Sequence, residues 1–133
     1  MQEKKKILVV DDDLNNIAII EEILGDEYIL KTSTAGKEAV QIGQTFLPDV
    51  VLLDIMMPGT DGYEVCRLMR EHYLLRHTKI IMVSAKAMAH ERLEGYKAGA
   101  DDYIVKPFDE DELLAKVRLY VCQDRVKELN KIG

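Results

Sequence analysis

No stretch of this chain approaches the roughly 18 consecutive apolar residues that a transmembrane helix requires. Met1 to Lys6 is polar and basic, without the apolar centre of a signal peptide. The expected location is therefore cytoplasmic, with no membrane partner. Cysteine is scarce: Cys66 and Cys122 are the only two, each inside a helix-like pattern. Both read as buried thiols in a reducing compartment rather than as a disulfide framework. Positive charge is also in deficit, and a formal net charge of -6 argues against direct nucleic-acid contact, whose affinity comes from Lys and Arg on phosphates. His72, His77 and His90 lack the spacing of a metal site and read as surface residues. There is no internal repeat, no low-complexity segment and no linker before about residue 120.

What is present is enough for one core. The hydrophobic fraction is 47% and the charged fraction 32% over 133 residues, and a domain near this size buries roughly 68% of its unfolded-state surface. Apolar runs rich in β-branched residues recur at Ile7 to Val10, Tyr28 to Leu30, Val50 to Leu53, Ile80 to Val83 and Tyr103 to Val105. The first, third and fourth are continuously apolar, as strands covered on both faces must be, which implies a parallel sheet. Helical patterns fall between them: Ile17, Ile20 and Leu24; Ala39, Gly43 and Phe46; Val65, Leu68 and Met69; Leu93 and Tyr96; Leu113, Val117 and Val121. Asp61 with Glu64, and Asp109 with Glu112, have capping-box spacing, and Gly25 is a stop for the first helix. The expected fold is a doubly wound α/β domain with helices on both faces of the sheet.

Such sheets bind ligands beyond the carboxyl ends of their strands. The residues found there are Asp11-Asp12-Asp13 after the first strand, Asp54 after the third, Ser84 after the fourth and Lys106 after the fifth. Any one alone could be a cap or a turn residue. Together they would converge on one edge. Two carboxylates about 4 Å apart repel by roughly 4 kcal/mol at an effective dielectric of about 20, so the cluster must raise its own pKa values or recruit a cation. Mg²⁺ suits it, being bound through one or two carboxylates with positions left open for a phosphate. A nucleophilic Asp54 carboxylate would form an acyl phosphate, with Lys106 and Ser84 neutralising the phosphoryl oxygens.

On these residues the chain resembles the receiver domain of two-component response regulators over about residues 5 to 121. The acidic pair is Asp11-Asp12, the phosphoacceptor segment Asp54-Ile55-Met56-Met57-Pro58-Gly59, the hydroxyl segment Ser84-Ala85 and the terminal pair Lys106-Pro107. No required position departs from the pattern. The resemblance implies a flavodoxin-like five-stranded sheet in order 2-1-3-4-5. It also implies a phosphoryl group taken from a phosphohistidine of a sensor histidine kinase or phosphotransfer protein. Asp12, Asp54 and the Met56 backbone carbonyl would contact Mg²⁺, with Asp11 acting largely through water. The Lys106-Pro107 bond would be cis. On phosphorylation Ser84 would move toward the phosphoryl group and Tyr103 would turn inward, biasing the loop after the fourth strand and the helix near residues 88 to 98, which Gly95 and Gly99 would loosen. Met56 and Lys86 would modulate the acyl-phosphate lifetime. Kinase pairing would rest on exposed residues of the first helix, including Asn15, Asn16, Ala18 and Glu22.

A hydrolase of the haloacid dehalogenase type also uses an aspartyl phosphate, and Asp11-Asp12-Asp13 offers its Asp-x-Asp pair. Against it, Asn15 stands where Thr or Val is expected, and Asp101-Asp102 precedes Lys106 instead of following it. A second rival keeps the fold as a scaffold that is never phosphorylated, but the acidic pair such a scaffold loses is intact. Residues 122–133 are expected to form a helical extension: Ala115, Leu119, Cys122, Val126 and Leu129 have the 4-3-4-3 spacing of a coiled-coil seam. Two outputs follow from that, a linker into an output domain with homodimerisation on phosphorylation, or a single-domain regulator that acts by docking.

Overall fold

A computed structural model describes residues 3–85 and 88–123. In chain order the elements are β1 (Lys6–Val10), α1 (Leu14–Leu24), β2 (Ile29–Ser33), α2 (Gly36–Phe46), β3 (Val50–Asp54), β4 (Met56–Met57), β5 (Thr60–Asp61), α3 (Gly62–Glu71), β6 (Lys79–Ser84), α4 (Ala89–Ala98), β7 (Asp102–Val105) and α5 (Glu110–Val121). Five strands form one parallel sheet in the order β2-β1-β3-β6-β7. Counting only those five, the order is the expected 2-1-3-4-5.

Strand periodicity divides the core. Ile7, Val9, Val50, Leu52, Ile81, Val83 and Ile104 pack with Ile17, Ile20, Leu24, Leu113 and Val117, which puts α1 and α5 on one face. The alternate residues Leu8, Val10, Val51, Leu53, Ile80 and Met82 pack with Ala39, Val65 and Met69 on the other. All five residues of β3 are buried. Each large side chain so buried contributes roughly 1.5 to 3 kcal/mol.

Several sequence expectations are corrected. The short hairpin β4–β5 was not foreseen, because two-residue strands have no readable period. Tyr28 precedes its strand, and β1 begins one residue before the expected Ile7, at Lys6, whose ammonium lies 5.7 Å from the centre of the Phe46 ring. Leu68, Leu93 and Tyr96 do not face the core; they are 39%, 53% and 44% exposed. On α4 the buried residues are Gly95 and Ala98. A Cβ on Gly95 would come within 2.9 Å of Met82 Sδ, so small residues bring this helix close to the sheet and leave the large ones outside. Gly99 caps the helix in the left-handed region at φ 113°. Asp61 caps α3 through the Tyr63 N–H at 2.9 Å, but Asp109 makes no side-chain cap. Gly25 ends α1 with ordinary helical dihedrals.

Cys122 is exposed, and only Cys66 is a buried thiol. Ala115 and Leu119 are exposed as well, while Val126 and Leu129 lie outside the described residues. Among the described residues no helix is long and apolar enough to cross a membrane.

Candidate functional site

Parallel register assembles the carboxyl edge. Val10 pairs with Leu53, Asp54 with Val83, and Ser84 with Val105. The residues that end or follow these strands, Asp11, Asp54, Ser84 and Lys106, are therefore adjacent. Lys106 Nζ lies 2.8 Å from Asp11 Oδ2 and 3.2 Å from Asp54 Oδ2. The remaining oxygens are fixed by backbone: Asp11 Oδ1 accepts from the Asp13 N–H at 2.9 Å, and Asp54 Oδ1 accepts from the Met56 N–H at 3.1 Å. Each carboxylate is thus held by an amide two residues downstream and by a shared ammonium. The Lys106–Pro107 peptide bond is cis.

Asp12 is exposed and completes the cluster: one oxygen from each of Asp11, Asp12 and Asp54 falls within 4.8 Å of the others. Three hard oxygen donors facing one ammonium leave a net negative site that is open at Asp12, which fits a hard divalent cation. Burial raises the Asp54 pKa above the usual carboxylate range, opposed by the Lys106 charge and the Met56 amide and reinforced by Asp11. For Lys106 burial is the largest influence and disfavours the ammonium. The hydrogen bond to Asp11 and the charges of Asp54 and Asp11 together outweigh it, so its pKa is raised.

Ser84 and Tyr103 are 1% and 4% exposed. Burial pushes the Tyr103 phenol up to about 12, and a side-chain hydrogen bond with Ser84 opposes that rise. Tyr103 already occupies an inward position in this structure. Asn15, Ala18 and Glu22 are exposed on α1, and Asn16 is half-buried. Asp13 caps α1 through the Asn15 N–H at 2.8 Å. Lys86 lies outside the described residues. Asp101 and Asp102 belong to the opposite edge, where Asp101 accepts from Arg70 at 2.7 Å and from the Ile80 N–H, and Asp102 pairs with Lys116. They stand apart from Asp11 and Asp54, as the hydrolase reading would not have them. His77 and His90 are exposed, and His72 Nδ1 accepts from the Leu74 N–H.

Two contributors escaped the sequence reading. The Asp13 amide was overlooked because its carboxylate drew attention. The Met56 amide was overlooked because that residue was read for its carbonyl.

Comparison with known proteins agrees with this geometry. The family model described as the response regulator receiver domain matches residues 7–118. Transcriptional regulatory protein ResD of Bacillus subtilis (strain 168) is 45% identical over 114 residues, 85% of this chain and 46% of that protein. Response regulator PleD of Caulobacter vibrioides is 39% identical over 114 residues, 85% of this chain and 25% of that protein. The chain thus spans between a quarter and a half of the length of these relatives. The receiver domain of sensor histidine kinase PA1611 from Pseudomonas aeruginosa PAO1, solved with a magnesium ion coordinated in its active-site cleft, superposes with TM-score 0.82 at 30% identity, covering 90% of this chain and 98% of that one.

Proposed function

The chain belongs to the response regulator receiver domain family of two-component systems, and from that membership we propose that Asp54 is the phosphoacceptor of a cytoplasmic phosphorylation switch. The single observation that carries this is Lys106 Nζ bridging the Oδ2 atoms of Asp11 and Asp54. The donor is a phosphohistidine of a sensor histidine kinase or phosphotransfer protein. An Asp54 carboxylate oxygen attacks phosphorus, the bond from phosphorus to the donor imidazole nitrogen breaks, and the leaving nitrogen keeps the electron pair. The backbone N–H of Met56 holds Asp54 Oδ1, so Oδ2 is the atom free to attack once Lys106 turns to the incoming phosphoryl oxygens. Ser84 hydrogen-bonds another of those oxygens.

Asp11, Asp12, Asp54 and the Met56 carbonyl would hold Mg²⁺, Asp11 largely through water, and the bound ion would neutralise phosphoryl charge. The site assists its own phosphorylation and, later, attack by water that restores Asp54.

For the switch, Ser84 leaves Tyr103 for the phosphoryl group, and Tyr103 and the start of α4 resettle around the vacated bond. The receiver spans residues 1–121, and residues 122–133 begin an extension toward an output. That output is another domain, reached through homodimerisation on phosphorylation, or a partner to which a single-domain regulator docks, with no nucleic acid touched by this domain.

Incubation with acetyl phosphate and Mg²⁺, followed by borohydride trapping and peptide mass mapping, tests the central step. The label is expected on Asp54 and lost in Asp54→Asn. A label on Asp11, or none, would overturn the reading. Solution mass with and without beryllofluoride reads the dimerisation.

A further inference from the structure

Around the hairpin that follows Asp54, two helix starts lack a side chain where they make their closest contacts. Gly62, the first residue of α3, packs on the backbone of the phosphoacceptor segment. A Cβ there would lie 2.5 Å from Ile55 Cα and 2.7 Å from the Asp54 carbonyl oxygen. Its N–H also donates to the Ile55 carbonyl at 3.0 Å. Gly36, the first residue of α2, meets the hairpin at Thr60 and α3 at Val65: a Cβ would lie 2.2 Å from Thr60 Cγ2 and 2.7 Å from Val65 Cγ2.

Neither glycine has a positive φ; among the described glycines only Gly59 and Gly99 do. Space, not conformational freedom, therefore calls for glycine here. On helix propensity alone alanine would be the better residue at both sites. The two contacts differ in what could yield. Gly36 faces methyl groups that a rotamer change can move. Gly62 faces main chain, and the atoms it would strike belong to the peptide joining Asp54 to Ile55. Carbon atoms rest about 3.5 to 4.0 Å apart, so a methyl at Gly62 must displace that peptide by on the order of 1 Å. The same peptide leads directly to Met56, whose N–H holds Asp54 Oδ1.

We propose that Gly62 is a positioning residue for phosphoryl transfer: the absence of a side chain lets α3 seat against the Asp54–Ile55 backbone and fix the Asp54 carboxylate and the Met56 main chain relative to Asp11 and Asp12. The proposal rests on the phosphoacceptor reading. Gly36 packs against the same hairpin at Thr60 and against α3 at Val65.

The test uses the full chain. For Gly62→Ala, thermal unfolding, Mg²⁺ affinity by calorimetry and the rate of Asp54 labelling by acetyl phosphate are measured beside wild type. A misplacement near 1 Å predicts labelling slowed by about 10- to 100-fold, with Mg²⁺ affinity weakened about tenfold while cooperative unfolding is retained. A purely structural glycine would lower the melting temperature and leave both other quantities at wild-type values, and that result overturns the proposal. If Gly62→Ala does not unfold cooperatively, the same measurements are made on it and on wild type in trimethylamine N-oxide, which favours the folded state. Labelling and Mg²⁺ affinity that match wild type there overturn the proposal. Failure of the underlying reading looks different: wild type itself then takes no label on Asp54, while the Mg²⁺ titrations still report on Gly62.

Discussion

Helices α3 and α4 are adjacent on the same face of the sheet and each is 10 residues long, yet they are attached in opposite ways. α3 buries Gly62, Val65, Cys66 and Met69. α4 buries only Gly95 and Ala98 and turns Leu93 and Tyr96 to solvent. The rest of its attachment comes from α3 side chains two turns apart. Tyr63 Oη donates to the Glu91 carbonyl in the first turn at 3.1 Å, and Arg70 Nε donates to the Gly99 carbonyl at the cap at 2.8 Å. A helix held by burial of large side chains is costly to displace. One held by a few polar bonds at its ends can be biased by a local change of charge, because each bond contributes only about 0.5 to 1.5 kcal/mol net. α4 follows Ser84 in the chain, and that places the loosely attached element next to the reactive edge.

The contrast breaks most sharply by truncation. Met69→Ala on α3, whose side chain is 0% exposed, is expected to cost about 2 to 5 kcal/mol in urea unfolding. Leu93→Ala on α4 is expected to stay within about 0.5 kcal/mol. Equal losses would remove the distinction.

Alkaline pH probes the same packing. Burial pushes the Cys66 thiol up to about 11 from 9.0. Between those values the folded state keeps a proton that the unfolded state loses, so the group's contribution is complete below pH 9 and falls as pH rises through about 11. The loss is on the order of 2 kcal/mol. Unfolding of Cys66→Ala should depend less steeply on pH over that window; an unchanged slope would assign the alkaline limb to other groups.

Effects of comparable or smaller size belong to the bonds that hold α4. Arg70→Ala removes donors to the Gly99, Arg76 and Thr78 carbonyls and to Asp101, with an expected cost of about 1 to 3 kcal/mol. Tyr63→Phe should cost about 1 kcal/mol. Hydrogen exchange is expected to accelerate in the last turn of α4 for the first and in the first turn for the second. Uniform acceleration over the whole domain would show that α4 is not separately attached.

The α3/α4 difference also marks where sequence patterns stopped being informative. Short, continuous, β-branched apolar runs such as Val50 to Leu53, recurring between helical patterns, read as central strands, so the sheet was legible from the order and length of the runs. Leu93 and Tyr96 have good helical spacing and still face outward. The deciding contact is Gly95 against Met82 and the Tyr103 ring, and glycine adds nothing to an apolar stripe. The hairpin at Met56 to Asp61 and the backbone approach of Gly62 were hidden for the same reason: a contact between main chains leaves no mark in side-chain periodicity.

The sequence by itself determined which chemical groups end each strand, because the order of apolar runs and polar residues is local, and parallel strands in a doubly wound sheet must end on one edge. It therefore specified Asp11, Asp12, Asp54, Ser84 and Lys106 as one set. Only the tertiary structure decided how that set is divided, with one oxygen of each of Asp11 and Asp54 on a backbone amide and the other on Lys106. That division depends on strand register and on helix starts seated against main chain, which are set by contacts between residues far apart in sequence.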